Sequence, residues 1–242
     1  MIKLDRAERP AYLSDDKVDE LTNLFKSDKK HTVWKHKDIH SALLISSNDK
    51  CAFCESALQI SSAYMEIEHF KPKDDFPDNV VEWGNLLPSC KRCNTKKGTH
   101  NVVNEPIINP FDIDPKKHLT QEGCRIYFKD HLGKTTREVL DLNDKRLVQP
   151  RFEIWNYIRS KLEEIWEDLE SKNKLTKRDT NKLRGLLVSC QADKPFSSFA
   201  SASFLGCPDH LAVVEKLKSS SLWDDDIDDL YQKLAALALD KR

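Results

Sequence analysis

The residues with chemistry to offer gather in one stretch, CAFCESALQISSAYMEIEHFKPKDDFPDNVVEWGNLLPSCKRCNTKKG, running from Cys51 to Gly98. It holds two Cys-x-x-Cys pairs, Cys51 with Cys54 and Cys90 with Cys93, together with the dipeptide Glu68-His69, Asn85, and Asn94 directly after the last cysteine. Two such pairs outline a tetrahedral zinc site, because each pair spans one edge of the tetrahedron and any small fold can lie between them. Four incidental core or redox cysteines would not arrive in this spacing twice within so short a window. The pattern therefore predicts a structural Zn²⁺ held by Cys51, Cys54, Cys90 and Cys93.

A hairpin and a helix are needed to bring the other polar groups beside that site. Met65 to Phe70 reads as a short strand, Pro72 and the acidic DDFPDN run as a loop, and Val80 to Trp83 as a second strand leading to Asn85. Pro88-Ser89 then announces a helix, with Ser89 as its N-cap, Cys90 to Lys97 as its turns and Gly98 as its stop. Successive helical residues lie about 100° apart. With Cys90 and Cys93 turned toward zinc, Asn94 is aimed at a neighbouring surface, so the thiolate site fixes the helix that presents it.

The order CxxC, then EH, then WxNLxxxCxxCNxxKG resembles the HNH nucleases, whose catalytic unit is the ββα-metal motif. In this chain the three letters fall on His69, Asn85 and Asn94, with Asn in the place where many relatives carry His. More narrowly, EIEHFKPK, NLLPSCKRCNTKKG and the downstream PFDIDPKKHL are similar to the PtuB family of nucleases from Septu and retron-associated anti-phage systems. The likeness covers about residues 50 to 120 at the level of motifs.

The resemblance implies a role for each group. Glu68 and Asn94 would hold a catalytic divalent cation, and a carboxylate with an amide carbonyl suits a hard ion such as Mg²⁺ or Mn²⁺. Many relatives carry Asp where Glu68 stands, and Glu66, on the same face of a regular strand, is the second candidate ligand. His69, with an ordinary pKa of about 6.5, is the expected general base. Asn85 takes the family's supporting role of pinning the loop that aims His69. Lys71, Lys73, Lys91, Arg92, Lys96 and Lys97 would ring the site as phosphate contacts. The implied function is metal-dependent hydrolysis of nucleic-acid phosphodiesters by the toxic effector of an anti-phage defence system. The implied partner is a PtuA-like ATPase of the ABC/SMC type, possible also within a retron complex. A ribonuclease using the same site, for example one cutting tRNA, and a zinc-stabilised binding module without catalysis are the two other readings the residues allow.

The rest of the chain sets bounds. It has 242 residues, a formal net charge of −1 and one third of its residues charged, so nucleic-acid binding must come from a local basic patch or a partner. No apolar run approaches the roughly 18 residues of a membrane span, and MIKLDRAERP carries charge where a signal peptide is apolar, which predicts no membrane and a cytoplasmic protein. Seven cysteines suit a reducing compartment, and Cys124, Cys190 and Cys207 read as buried apolar groups.

The expected fold class is α+β, a ββα-metal core with structural zinc flanked by helices on both sides. Residues 1–48 form an N-terminal helical segment, with one helix after Ser14 and another from Trp34 to Ile45; His36 and His40 within it read as solvated or nucleic-acid-facing. Residues 49–149 hold the zinc-stapled core, the extended PIINPFDIDP wrapping it, a hairpin of His118–Thr120 with Cys124–Phe128, and a strand through Thr135 to Val139. Residues 150–242 are helical. Phe152, Trp155, Ile158, Leu162, Ile165 and Leu169 line one helix face, and further helices fall at 180–190, 210–218 and 225–239, while Ser197 to Ser203 reads as a loop.

Overall fold

The computed structural model describes residues 1–58 and 64–242, as a mixture of helices and short sheets. They divide into two compact units: Met1 with Lys3–His118 and Phe128–Leu142, and Ile2 with Leu119–Tyr127 and Asn143–Arg242. Residues 1–48, drawn in the sequence as a segment apart, thus share a unit with the cysteine-rich stretch, while residues 119–127 group with the C-terminal helices.

In the first unit, Ser14 caps helix α1 (Asp15–Ser27) by accepting from the Lys17 amide at 3.3 Å, and Leu21 and Phe25 are buried on its inner face. Helix α2 (Lys37–Ser47) begins three residues after the expected Trp34. His36 stops it there, its backbone extended, its Nδ1 accepting from the Asp38 amide at 3.3 Å and its ring stacked on Tyr12 at 3.5 Å. Ile39, Leu43 and Ser47 are the fully buried positions of α2.

Strand β1 (Met65–His69) pairs antiparallel with β2 (Leu86–Cys90), from Met65 opposite Cys90 to His69 opposite Leu86. The second strand therefore follows Asn85 and does not precede it. Residues 80–83, read as extended, instead enter a 3₁₀ turn at Trp83–Asn85, where the Glu82 carboxylate accepts from the Gly84 amide at 3.2 Å and favours the turn over a strand. Helix α3 (Lys91–Lys97) follows β2 with no intervening loop. Its N-cap is Cys90, whose Sγ accepts from the Cys93 amide at 3.5 Å; Ser89, expected in that place, is buried in the sheet opposite Glu66. Gly98 ends the helix at φ +51°, a conformation side chains disfavour.

The stretch after α3 buries Ile107 and Ile108, and the Ile108 amide donates to Thr136 Oγ1 at 2.8 Å. Thr136 belongs to helix α4 (His131–Val139), where a strand was expected. Asp130 caps α4 by accepting from the Gly133 amide at 2.9 Å, and a Cβ at Gly133 would lie 2.1 Å from the His118 carbonyl oxygen. The cap and the missing side chain together override the β-branched threonines.

In the second unit, β3 (Leu119–Glu122) turns at Gly123 into β4 (Arg125–Phe128), and β5 (Asp240–Lys241) adds parallel to β3 on the other side. The remainder is five helices, α5 (Lys145–Glu170), α6 (Lys177–Val188), α7 (Ser197–Leu205), α8 (His210–Ser219) and α9 (Asp225–Leu237). Ile158, Leu162, Ile165 and Leu169 of α5 enter its core as expected, but Phe152 is half-exposed and its neighbour Arg151 is buried instead, its guanidinium 4.5 Å from the Phe199 ring. Helix α7, expected as a loop, is buried almost throughout. Small serines let it approach its neighbours: Ser201 Oγ donates to the Cys190 carbonyl at 3.0 Å and Ser203 Oγ to the Trp155 carbonyl at 2.7 Å. Its fully buried Phe199 and Phe204 each contribute about 2–3 kcal/mol of apolar burial. Among the described residues no helix is long and apolar enough to cross a membrane.

Candidate active site

The four cysteines come together. Ligand atoms of Cys51, Cys54, Cys90 and Cys93 all lie within 4.8 Å of one another, with Cys54 Sγ and Cys90 Sγ 3.7 Å apart. A tetrahedron with metal–sulfur bonds of about 2.3 Å has edges of about 3.8 Å, so the spacing fits one ion bound by thiolates. Burial pushes the Cys51 thiol well up while hydrogen bonds from the other cysteines hold Cys54 well down, and a cation is what would keep all four sulfurs deprotonated together. The backbone supports the cluster: the Ala52 amide donates to the Pro88 carbonyl at 2.9 Å, tying the first pair to β2, and the Cys51 amide donates to the Ser56 carbonyl at 2.9 Å.

Beside this cluster, a cleft of about 250 Å³ is lined by Glu66, Glu68 and His69 of β1, Asn94 of α3, Lys73, and Trp34 from ahead of α2. His69 is buried, and its Nε2 lies 2.9 Å from the Val80 carbonyl oxygen. A carbonyl only accepts, so Nε2 carries the proton and Nδ1 is left as the basic nitrogen. Burial drives the imidazolium pKa down to about 4, against the pull of the Val80 carbonyl, so the ring is neutral at pH 7. Trp34 meets the imidazole edge-on at 4.7 Å and limits its rotation.

Asn85 does not line the cleft. It joins two loops, Oδ1 accepting from the Lys71 amide at 2.7 Å and Nδ2 donating to the carbonyls of Lys71 at 3.1 Å and Asn79 at 2.9 Å. Val80, the acceptor for His69, is the next residue after Asn79. The amide thus ties the chain leaving β1 to the segment that orients the imidazole.

Glu68 is buried, and its Oε1 lies 2.7 Å from Lys97 Nζ, which also donates to the His69 carbonyl at 2.8 Å. Burial pushes the Glu68 carboxyl up to about 7 against the pull of Lys97 and Lys73. Glu66, the second candidate, is exposed on the same cleft.

The expected ring of phosphate contacts is only partly available. Lys97 is buried against Glu68, so it is no surface contact. Arg92 is turned away, donating to the Leu140 carbonyl at 3.0 Å and to the Asp141 carbonyl, and Lys96 pairs with Asp141 at 2.9 Å. Lys71 and Lys91 are exposed outside the cleft. Lys73 lines it, with Nζ 5.5 Å from the Trp34 ring centroid and 3.8 Å from Asp74. Lys97 was expected at the site but as a phosphate contact, and its place four residues after Cys93, on the buried side of α3, was the signal for the inward role it takes; Trp34 is a site residue that the sequence did not announce.

The sequence that builds these strands, this helix and this cleft is similar to that of known proteins. A family model described as HNH endonuclease matches residues 51–100. The whole chain is 37% identical over 246 residues to the Septu protein PtuB of Bacillus thuringiensis, covering 98% of this chain and 93% of that protein. It is also 28% identical over 215 residues to a Septu protein PtuB of Bacillus mycoides (strain KBAB4), covering 71% of this chain and 72% of that one. A shorter likeness, 38% over 72 residues, links it to protein ea31 of Escherichia phage lambda, over 28% of this chain and 23% of the phage protein. The chain belongs to the PtuB family of HNH endonucleases.

Proposed function

We propose that this chain is a metal-dependent endonuclease that hydrolyses nucleic-acid phosphodiesters as the effector of an anti-phage defence system. The observation that carries the reading is the shared cleft of Glu68, His69 and Asn94, with His69 neutral and its Nε2 proton committed to Val80. Nδ1 of His69 takes the proton of the attacking water as the water's oxygen bonds to phosphorus and the bond from phosphorus to the leaving ester oxygen breaks, that oxygen taking a proton from solvent. Glu68 and Asn94 supply oxygen donors for Mg²⁺ or Mn²⁺, which when bound would screen the charge growing on the phosphoryl and leaving oxygens. Asn85 holds the loops that aim His69, and Lys97 holds Glu68 in place. The four cysteines bind Zn²⁺ as a structural ion, making β1, β2 and α3 a zinc-stapled ββα-metal core.

The partner, by likeness to the PtuB family, is a PtuA-like ATPase that regulates cutting, and the weak overall charge of the chain suits a nuclease brought to its substrate by another protein. Purified protein, alone and with that ATPase, is incubated with plasmid and with total RNA in Mg²⁺ or Mn²⁺, beside a His69→Ala control. Cutting that depends on His69 supports the proposal, and the polymer consumed decides between DNA and RNA. Cell-level activity retained by His69→Ala would overturn it in favour of a zinc-stabilised binding module.

A further inference from the structure

A second hollow, about 490 Å³, opens beside the cleft and shares Trp34, Lys35, Glu66 and Ile67 with it, so the two form one continuous groove. The second hollow extends over Lys37 and His40 of α2 and Met65 at the start of β1. Among the described residues, strand β1 belongs to a two-stranded sheet, and no strand pairs with its edge away from β2. The floor is Met65, Ile67 and strand edge with the exposed carboxylate of Glu66 among them, and the wall is basic.

The wall is made by KKHTVWKHK, residues 29–37, which holds four lysines and two histidines with no acidic residue, in a chain whose net charge is −1. Lys29 is tied down, Nζ donating to the Asp74 carbonyl at 3.1 Å. Lys35 and Lys37 are exposed, and among the described residues no carboxylate pairs with either. Asp38, the nearest acid along the chain, sits beside the His36 ring at 3.8 Å. With Arg92 and Lys97 withdrawn into the protein, Lys35, Lys37 and Lys73 are the cations that this groove offers to a ligand.

We propose that the groove holds the nucleic-acid strand on one side of the scissile phosphate, with Lys35 and Lys37 each contacting a backbone phosphate and Met65 and Ile67 lying under the sugars and bases. This rests on the nuclease reading of the adjoining cleft. A basic wall along an apolar floor is how proteins track a single strand without reading its sequence. The ligand class is the phosphodiester backbone, shared by DNA and RNA.

The test measures fluorescence anisotropy of a short labelled single strand of mixed sequence, once as DNA and once as RNA, at a series of salt concentrations with Mg²⁺. The protein is the full zinc-loaded chain carrying His69→Ala, which cannot degrade the probe. Adding Lys35→Gln with Lys37→Gln is expected to weaken binding at low salt by about tenfold or more and to reduce the salt slope by roughly 1.4, the share of two single-strand phosphate contacts. Lys117→Gln with Lys134→Gln, exposed lysines on neither hollow, is expected to change neither quantity.

In the cutting-competent chain the groove pair is expected to raise KM and leave kcat. Unchanged affinity and slope in the groove pair, an equal loss in the control pair, or no binding of either probe by the parent would each overturn the groove. The selective loss without any His69-dependent cutting would leave the groove standing and remove the nuclease reading instead.

Discussion

Lys97 Nζ stands 2.7 Å from Glu68 Oε1, both side chains sealed from solvent, so the carboxylate at the heart of the candidate cleft has a cation built in from α3. Without the lysine, a carboxyl already held at about 7 takes up a proton at neutral pH, whereas at higher pH it is left charged, buried and unpaired, which costs up to about 3–5 kcal/mol. Lys97→Met is expected to lose stability in urea unfolding by an amount that grows as pH rises above about 7. Glu68→Gln added to it should restore much of the loss, and a double mutant no more stable than Lys97→Met would show that packing, not charge, governs the site.

Zinc content and fold should be inseparable in the first unit. Elemental analysis is expected to find one tightly held zinc per chain, and Cys51→Ser should lose both the ion and soluble folded protein. Protein that folds with no zinc at all would contradict the thiolate cluster as a metal site.

Asn94 should separate catalysis from folding. It lines the cleft and is not one of the four residues of the thiolate cluster, so Asn94→Ala is expected to abolish cutting while zinc content and circular dichroism stay as they were. Active Asn94→Ala protein would end its assignment as a ligand of the catalytic cation.

Asn85→Asp distinguishes a pinning role from mere bulk. The carboxylate can still accept from the Lys71 amide but cannot donate to the carbonyls of Lys71 and Asn79, and two lost donors at a buried position are expected to cost about 2–4 kcal/mol. Cutting should fall with the shape of its pH profile unchanged, since the proposed base, His69, is untouched. A profile that moves would place Asn85 in the chemistry itself.

Acid should loosen the second unit through Asp168. Hydrogen bonds from Lys172 and Lys182, at 2.7 and 2.5 Å, hold its carboxyl down at about 2. A carboxyl depressed below its unfolded value of 3.8 stabilises the fold above that pH, and the contribution disappears as pH falls through about 2. Asp168→Asn should therefore lower Tm slightly at neutral pH and not at pH 2, with the difference shrinking in high salt because the group is partly exposed.

Much of the site was legible because its chemistry is local in sequence. The two cysteine pairs, Glu68-His69 and Cys93-Asn94 each announce themselves within a few residues. What escaped was set by partners far along the chain. Arg92 and Lys97 carry the same composition signal as Lys91 and Lys96, and only the carbonyls of residues 140 and 141 and the carboxylate of Glu68 decide that they face inward. The same holds for the fold: α1 and the Leu162–Leu169 stripe follow from periodicity, whereas α7 mixes serine and phenylalanine without period because it is surrounded on most sides. Residues 80–83 look extended by type, and the Glu82 cap that turns the chain into Trp83–Asn85 is a two-residue interaction that β propensity does not encode.

Cys90 offers one sulfur to the thiolate cluster and the same sulfur to the first turn of α3. Loss of an ion held by this cluster and fraying of the helix would consequently be one event, felt first at the amides of residues 91 to 97. In hydrogen–deuterium exchange a chelator should open this seven-residue segment before any other part of the core, and with it would go the positions of Asn94 and Lys97.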